Sequence, residues 1–351
     1  MAATSDRIVE AVRNRLSETT GRTSVAASPK QVILQTADKM ARTGHDTSRG
    51  VRHNAGAVDG HGAQLACVSG VRTRMHMTKL TLMAVLAHPD DESLGFGGTL
   101  ATYAAQGVEV VLVTATRGDA GRYRGKRPGE DGHPGQAALA AMRERELKAA
   151  AATLGIRHVA VLDYKDQHLS RADARQATAD IARHIRAHRP QVVVTFGMDG
   201  AYGHPDHIAV SQLTTASIVA AAAPDSAGRH AGASHDAHVV SKCYHLAWPA
   251  STWSAYQRVF GELTATVDGL VRRASPAPEW SLSAVVDATA ALPILLRAAH
   301  CHESQVGTRE RLHQVSSEEL AAMWSQQSFS RVFSLVDVGT ARESDLFAGI
   351  R

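Results

Sequence analysis

Residues 79–92 read KLTLMAVLAHPDDE, and this stretch decides the fold. Its first part is a short apolar run, typical of a strand that is buried on both faces of a parallel sheet. A histidine, a proline and three consecutive carboxylates follow at once. Adjacent carboxylates repel one another and are rarely buried without a partner. The acids therefore lie either in a solvated loop or at a site where a cation holds them together.

The alternation of strand and helix patterns continues along the chain. Further strand-like runs occupy 108–116, 158–164 and 191–197, and helix-like segments occupy 97–107, 135–155 and 173–190. Val/Leu/Ile-rich strands separated by helices indicate a parallel sheet with helices on both faces. We therefore predict the α/β class, as a Rossmann-like three-layer sandwich with a mostly parallel sheet. The C-terminal part is less regular, with a predicted strand at 242–248 and helices around 285–302 and 316–327.

Composition divides the 351-residue chain into two parts. Residues 1–77 contain 11 Lys and Arg against 6 Asp and Glu, whereas residues 78–351 contain 27 against 28. The first part is rich in Ser, Thr, Gly and His and has no sustained period, which suits a flexible extension. We predict a flexible, basic and irregular N-terminal extension over 1–77 and a catalytic domain over 78–351.

Charge and hydropathy exclude several classes of partner. No basic cluster follows residue 77, so nucleic-acid binding by the main domain is not expected. The chain contains no run of 18 apolar residues, and its N-terminus lacks the apolar core of a signal peptide. We therefore expect a cytoplasmic protein that has a small-molecule substrate and no membrane partner. A homo-oligomer is compatible with the sequence.

A second polar cluster, GAYGHPDHIAV (200–210), follows the fourth predicted strand as HPDDE follows the first. Ligands of parallel α/β sheets bind beyond the carboxyl ends of the strands. If the first and fourth strands are neighbours, the polar side chains of both clusters converge. These side chains are His88, Asp91, His204, Asp206 and His207.

Two imidazoles and a carboxylate are the natural ligands of a catalytic Zn²⁺ that keeps one position open for water. A His/His/carboxylate set also suits Fe(II). A single HPD motif is most often a turn with a helix-capping aspartate. Two copies, each directly after a strand of the same sheet, favour a catalytic metal site. The glycine-rich GFGGT (95–99) lacks the full GxGxxG spacing of a dinucleotide loop, so we interpret it as a tight helix start.

The two clusters, AHPDDE (87–92) and GHPDH (203–207), resemble those of the PIG-L (LmbE-like) de-N-acetylases. These are zinc hydrolases that remove acetyl groups from N-acetylglucosamine conjugates. The resemblance runs from about residue 79 to the C-terminus and includes TRGDAG (116–121), MREREL (142–147) and HCHESQ (300–305). In style, the chain looks most similar to the actinobacterial deacetylases and amidases of the mycothiol pathway.

The resemblance implies which residues of the two clusters bind the metal and which one acts as the general base. His88, Asp91 and His207 match the metal ligands of the family, with one Zn²⁺ per chain and Fe(II) as the other candidate. Asp90 matches the general base, beside the metal but not bound to it. Metal-activated water would then attack the acetyl carbonyl, and Asp90 would accept the proton of that water.

The resemblance also implies roles for five further residues. His204 matches a histidine that faces the oxyanion or the leaving group, with Asp206 as its orienting carboxylate, and Tyr202 matches a tyrosine that stabilises the tetrahedral intermediate. We expect Asp206 to raise the pKa of His204, so that His204 acts protonated, and we expect a bell-shaped pH profile whose alkaline limb reports His204 or Tyr202. Arg143 and Asp166 match substrate-binding residues. Arg143 could instead form an ion pair on a helix surface, and DYKDQHL around Asp166 departs from the family's glycine-containing pattern.

The sequence thus predicts a metal-dependent hydrolase that removes the N-acetyl group from a conjugate of N-acetylglucosamine type. Two alternatives stay open. The same site suits an amidase for a larger amide, such as a mycothiol S-conjugate, and the chain could be a non-catalytic carbohydrate-binding relative. The aglycone depends on loops whose sequence carries no readable specificity.

Overall fold

The computed structural model describes residues 79–224, 236–267, 269–273, 275–305 and 311–351. The extension predicted over 1–77 lies outside the described residues. Within these ranges, no helix has both the length and the apolar character that a bilayer crossing demands.

The strands, in chain order, are β1 (Thr81–Leu86), β2 (Glu109–Thr116), β3 (His158–Tyr164), β4 (Val192–Thr195), β5 (Lys242–Leu246), β6 (Thr264–Val267), β7 (Leu270–Arg273), β8 (Ala284–Asp287) and β9 (Gln326–Ser334). The helices, in chain order, are α1 (Asp91–Leu94), α2 (Gly97–Ala105), α3 (Gln136–Leu154), α4 (Ala174–His188), α5 (Gly200–Gly203), α6 (Pro205–Ala222), α7 (Ala250–Phe260), α8 (Leu292–Ala299) and α9 (Ser317–Trp324). Short 3₁₀ turns lie at Leu169–Arg171, Glu279–Ser281 and Thr289–Ala291.

Seven strands form one sheet in the order β3-β2-β1-β4-β5-β9-β8. The five strands from β3 to β5 are parallel, and β9 and β8 are added antiparallel at one edge. β1 and β4 are direct neighbours, with Leu82 beside Val192 and Ala84 beside Val194. The predicted fold class is therefore confirmed, and the structure meets the condition for convergence of the two clusters, that the first and fourth strands are neighbours.

Helices cover both faces of this sheet. α4 and α6 pack together on one face against β1, and α2, α3 and α8 pack together on the other. Because both faces are covered, every residue of β1, β2 and β4 is buried. These strands can therefore be nearly continuous apolar runs, which is the pattern that predicted them. The three-layer arrangement is thus the one expected from the sequence.

The C-terminal elements differ from the prediction. The helix expected over 285–302 is wrong at its start, because Ala284–Asp287 is the edge strand β8 and helix α8 begins only at Leu292. The AVVD segment of β8 is too short to show a hydrophobic period. It is a strand because it pairs with β9. The helix expected over 316–327 ends at Trp324, and β9 begins at Gln326.

The strand order creates a crevice at the carboxyl end of the sheet. From β1 the chain moves to β2 on one side, and it later returns to β4 on the other side of β1. Such a reversal is the place where open α/β sheets bind their ligands. The loops that leave β1 and β4 at this point carry the two HPD motifs.

Candidate active site

The loop after β1 is fixed by the carboxylate of Asp91. Oδ2 of Asp91 accepts hydrogen bonds from the backbone N–H groups of Ala87 at 3.1 Å and His88 at 2.8 Å. Asp91 is also the first residue of α1, where a negative charge is favoured. These contacts hold the carboxylate beneath the loop, with its other oxygen directed at the second motif.

Asp90 has a backbone conformation that is rare for a residue with a side chain. Its φ is 104°, outside the regions that non-glycine residues normally occupy. The backbone N–H of Asp90 donates to Oε2 of Glu92 at 3.0 Å, which stabilises this turn. Strained residues of this kind are concentrated at functional sites, and here the strain directs the Asp90 carboxylate into a cavity.

The second motif begins helix α6. Nδ1 of His204 caps the helix by accepting the N–H of Asp206 at 3.2 Å, and Pro205 occupies the first turn, where its missing N–H costs nothing. The ring of His207 stacks on Phe196 with the centroids 3.9 Å apart. Nδ1 of His207 lies 3.2 Å from the carbonyl oxygen of Gly200. Phe196, which fixes the plane of this ring, was not predicted from the sequence.

The predicted ligands converge from the two loops. Nδ1 of His88 lies 3.2 Å from Nε2 of His207, and Oδ1 of Asp91 lies 3.3 Å from the same Nε2. Oδ2 of Asp91 lies 3.7 Å from Nδ1 of His88. All three side chains are buried.

The remaining contacts of the two rings assign their tautomers. A carbonyl oxygen only accepts, so Nδ1 of His207 carries the proton that it shares with Gly200. Nε2 of His88 faces carboxylate oxygens of Asp166 at 3.1 Å and Asp206 at 3.3 Å, so it also acts as a donor. When both rings are neutral, Nδ1 of His88 and Nε2 of His207 therefore present lone pairs to each other beside the Asp91 carboxylate. This arrangement requires a proton or a metal cation between them.

The spacing of these atoms suits a metal ion. Ligand atoms 2.0–2.2 Å from Zn²⁺ lie about 3.3–3.6 Å apart in a tetrahedron, and the two imidazole nitrogens are 3.2 Å apart. The Asp91 carboxylate approaches them with different oxygens, Oδ1 at 3.3 Å from His207 and Oδ2 at 3.7 Å from His88. Ring nitrogens of His88, His204 and His207 also lie within 4.8 Å of one another, so His204 is close enough to serve as an alternative ligand. The His/His/carboxylate set is thus a candidate metal centre.

Asp206 makes different contacts from those expected. Its carboxylate accepts the backbone N–H groups of Gln167 at 2.6 Å and Leu169 at 3.0 Å and lies against Nε2 of His88. The prediction that this carboxylate orients His204 is wrong, because it is the backbone N–H of Asp206 that bonds His204. Although burial disfavours the charge of His88, hydrogen bonds with Asp166 and Asp206 and the charge of Asp91 raise its pKa to about 10.

His204 also differs from the expectation in its protonation. Burial, followed by the charges of His88 and His207, lowers the pKa of His204 to about 3, and Asp206 only partly offsets this. Protonation at Nδ1 would in addition remove the helix cap that this nitrogen provides. The expectation of a protonated His204 with a raised pKa is therefore wrong. The neutral ring carries its proton on Nε2.

Arg143 is buried on α3 and is not a surface residue. Its guanidinium donates to the carbonyl oxygens of Gly118, at 2.8 Å, and of Pro89, and it lies 3.2 Å from Oδ2 of Asp90. Gly118 has a positive φ of 61°, and a Cβ at that position would collide with the guanidinium, so both features require glycine. Burial raises the pKa of Asp90, and the charge of Arg143 opposes that rise. The alternative of an intrahelical surface pair is thus wrong.

Glu92 and His302 form a buried pair beside Asp90 that was not predicted from the sequence. Oε1 of Glu92 lies 2.7 Å from Nε2 of His302, and both residues are buried. The other carboxylate oxygen of Glu92 accepts the N–H of Asp90. His302 lies in HCHESQ, which was noted in the sequence only as a family landmark. Both motifs are present in the sequence, but only the folded chain shows that His302 pairs with Glu92, the third acid of HPDDE.

A cavity of about 280 Å³ opens onto the site. Its polar end is formed by Asp90, Asp91, Tyr202 and His207. Burial, followed by the charges of Asp91 and Asp90, holds the pKa of Tyr202 far above its usual value, so the phenol stays protonated. Arg143 and Asp166, both predicted to bind substrate, are not among the described lining residues, and Asp166 is held by Ala120 N–H at 2.9 Å and by His88.

The fold and the site together define a Rossmann-like α/β protein with a candidate metal centre built from two HPD motifs at the carboxyl end of its sheet. All the predicted site residues lie in or directly behind this centre. Residues 83–218 match the PIG-L family, described as GlcNAc-PI de-N-acetylase.

Curated relatives match the chain over most of its length. A 1D-myo-inositol 2-acetamido-2-deoxy-alpha-D-glucopyranoside deacetylase from Kineococcus radiotolerans is 33% identical, with 77% of this chain and 82% of the relative aligned. The protein of the same description from Mycobacteroides abscessus is 31% identical, with 78% and 99% aligned. The chain belongs to the PIG-L family, as the resemblance predicted.

Solved structures share the fold at lower identity. An N,N'-diacetylchitobiose deacetylase from Pyrococcus horikoshii has a TM-score of 0.53 and 20% identity, with 72% of this chain and 83% of that one covered. A 4-carboxy-2-hydroxymuconate hydratase from Pseudomonas putida has a TM-score of 0.56 and 19% identity, with 75% and 100% covered. Because a hydratase shares the fold, function has to be argued from the site.

Proposed function

We propose that this protein is a metal-dependent N-deacetylase that releases acetate from an N-acetylglucosaminyl conjugate. The observation that carries the proposal is the convergence of two imidazole nitrogens and the Asp91 carboxylate beside the strained Asp90. The relatives described as deacetylases of an inositol 2-acetamido-glucopyranoside support this reaction. They also suggest an inositol conjugate as the first substrate to test.

His88, Asp91 and His207 are the residues that would hold the metal, and their donor set suits Zn²⁺ first and Fe(II) second. When bound, the metal would lower the pKa of a water molecule towards neutrality and polarise the acetyl carbonyl. Asp166 and Asp206 would fix the ring of His88 from behind, as the partners of metal-binding histidines commonly do. We therefore assign Asp166 a positioning role in place of direct substrate binding.

Asp90 is the proposed general base. Its carboxylate would accept the proton of the attacking water and return a proton to the departing amine. Because burial raises the pKa of Asp90, this carboxylate is a better base than an exposed one, and the charge of the Arg143 guanidinium opposes the rise. Arg143 is thus proposed to act through Asp90.

Two neutral donors would face the oxygen that gains negative charge. The protonated hydroxyl of Tyr202 lines the cavity, and Nε2–H of His204 is left available by the cap at Nδ1. Donors of this kind are each worth about 3 kcal/mol of barrier reduction. A neutral His204 thus replaces the imidazolium that the sequence predicted.

One pair of variants tests this assignment. Asp90→Asn keeps the shape of the base, so it should retain the metal and lose turnover by about 10³-fold or more. His207→Ala removes a proposed ligand, so it should lose the metal as well as turnover. Measured metal content and acetate release of both variants check this, and an Asp90→Asn protein with the parent rate would refute the base.

One assay separates the proposed deacetylase from two alternative functions, an amidase and a non-catalytic sugar-binding protein. An amidase would accept a larger acyl group at the same site. It would therefore cleave a thiol conjugate faster than it releases acetate from a glucosaminyl conjugate. A non-catalytic relative would bind the sugar and release no amine from either. Amine release from both compounds, measured with the metal-loaded protein, separates the three.

We also propose that residues 1–77 are an extension outside the catalytic domain. The relatives align with 77–78% of this chain, whereas up to 99% of their own length is covered. A fragment that begins at Met77 should therefore fold and keep its acetate release. An insoluble or inactive fragment would contradict this division of the chain.

A further inference from the structure

The cavity at the candidate active site has two chemically different ends. The end beside the candidate metal centre is polar, as described above. The other end is formed by aromatic and aliphatic side chains, which are Leu94, Trp248, Tyr256, Phe260 and Leu263. We call these five residues the apolar wall.

Helix α7 and its two flanking segments supply most of the apolar wall. Trp248 stacks on Tyr256 with the ring centroids 4.2 Å apart and the planes 20° apart. The hydroxyl of Tyr256 donates to the carbonyl oxygen of Leu94 at 2.5 Å and accepts Nε1–H of Trp324 at 2.7 Å. The wall is therefore held in place from behind, which is what a preformed binding surface requires.

Among the described residues, none closes over the apolar wall. Trp248, Phe260 and Leu263 are only half-buried, although they pack against the second hydrophobic core of the domain. Rings that face a cavity are stabilised when an apolar group displaces the water from them. The charged residue described at this end is Arg311, which is exposed and donates to the carbonyl oxygen of Phe260 at 2.5 Å.

This lining does not match a polyol such as inositol. The five free hydroxyl groups of an inositol aglycone would need hydrogen-bonding partners, and hydroxyls buried without partners cost free energy. Apart from the indole N–H of Trp248 and the hydroxyl of Tyr256, which already bonds Leu94 and Trp324, the side chains of the apolar wall offer rings and methyl groups. An aromatic group would instead pack against the rings of Trp248 and Phe260.

We propose that the apolar wall binds an aromatic aglycone, so that the preferred substrates are aryl conjugates of N-acetylglucosamine. The proposal rests on the function proposed above, because the acetyl group must reach the candidate metal centre for the aglycone to lie on the wall. The wall then determines which conjugates are used, while the polar end determines the reaction.

The first test compares two substrates of the metal-loaded protein, a phenyl or naphthyl N-acetylglucosaminide and the inositol conjugate. The aryl substrate should have a kcat/KM at least about tenfold higher, the range expected for filling an apolar pocket. Trp248→Ala should lose most of this preference, mainly through a higher KM for the aryl substrate. Trp280→Ala is the matched control, because Trp280 is 88% exposed and not part of the described cavity lining.

The second test separates the wall from the reaction. Calorimetric titration of the Asp90→Asn variant with the aryl glycoside measures binding without turnover, and adding Trp248→Ala should weaken that binding about tenfold. If no substrate releases acetate but the aryl glycoside binds in a Trp248-dependent manner, the proposed reaction fails and the wall stands. If acetate is released equally from both conjugates and Trp248→Ala affects neither preferentially, the wall proposal is overturned and the reaction stands.

Discussion

The guanidinium of Arg143, in the middle of α3, lies 3.2 Å from the carboxylate of Asp90 in the loop after β1. The two side chains come from elements that are distant in the sequence, and the guanidinium also bonds the carbonyl oxygens of Pro89 and Gly118. One buried cation thus connects the proposed base to the loop after β2. The charge of Asp90 depends on this contact.

Arg143→Met should move the acid limb of the pH profile to higher pH. Burial raises the pKa of Asp90 and Arg143 opposes the rise, so without Arg143 the carboxylate holds its proton to a higher pH. Arg143→Lys, which keeps the charge, should shift the limb less, and Arg145→Met on the exposed side of the same helix should leave it in place. Profiles of kcat/KM for the three variants check this, and an acid limb that is the same in Arg143→Met as in the parent would disprove the coupling.

Asp206→Asn should weaken metal binding by about 10–100-fold, the usual cost of losing the partner of a metal-binding histidine. The carboxylate accepts the N–H groups of Gln167 and Leu169 and faces His88, and an amide cannot satisfy all these contacts. Asp163→Asn is the control, since the side chain of Asp163 is 96% exposed. Competition with a chelating dye measures the affinity. Unchanged affinity in Asp206→Asn would argue against its support of His88.

His204→Ala should lower kcat by about 10²–10³-fold, as expected for the loss of one oxyanion donor. The metal should remain, and so should the alkaline limb of the pH profile. The pKa of His204 is lowered to about 3, so the ring is already neutral at working pH and has no proton to lose on the alkaline side. If the variant lost the alkaline limb, the imidazolium would be its source; if it lost the metal, His204 would be a ligand.

Glu92→Gln should reduce the free energy of unfolding by about 2 kcal/mol, because a buried charged hydrogen bond is lost. Although burial opposes the charge of His302, Glu92 raises its pKa above the ordinary value. The pair therefore contributes fully below the unfolded pKa of about 6.5 and less as the pH rises through the folded value. Denaturation over a series of pH values from 6 upwards, with the exposed Glu303→Gln as control, should show the largest loss at pH 6. A loss that grows as the pH rises would contradict a charged pair.

Much of the fold could be predicted because the sequence pattern of the buried strands indicates a parallel sheet that is covered on both faces. β1, β2 and β4 are covered on both faces, so their apolar runs are unbroken, and the parallel order brings both HPD motifs to one edge. Edge strand β8 has no such signal, since its four residues are assigned by pairing with β9. Local pattern cannot reveal that kind of pairing.

The residues of the site could be predicted more completely than their contacts. The motifs identified the proposed ligands and the base, but the direction of each side chain depends on tertiary packing. Asp206 turns to His88 because the N–H groups of Gln167 and Leu169 hold its carboxylate there. The apolar wall comes from α7 and its flanks, which have no motif and meet the site only in the folded chain.

The most direct test of the account is acetate release from an N-acetylglucosaminyl conjugate as a function of bound metal. Protein stripped by a chelator should release no acetate, and Zn²⁺ should restore release in proportion to occupancy until about one equivalent per chain is bound. Each acetate should be accompanied by one free amine. Undiminished release from metal-free protein, or no release from protein carrying one equivalent of metal, would contradict a metal-dependent deacetylase at the two HPD motifs.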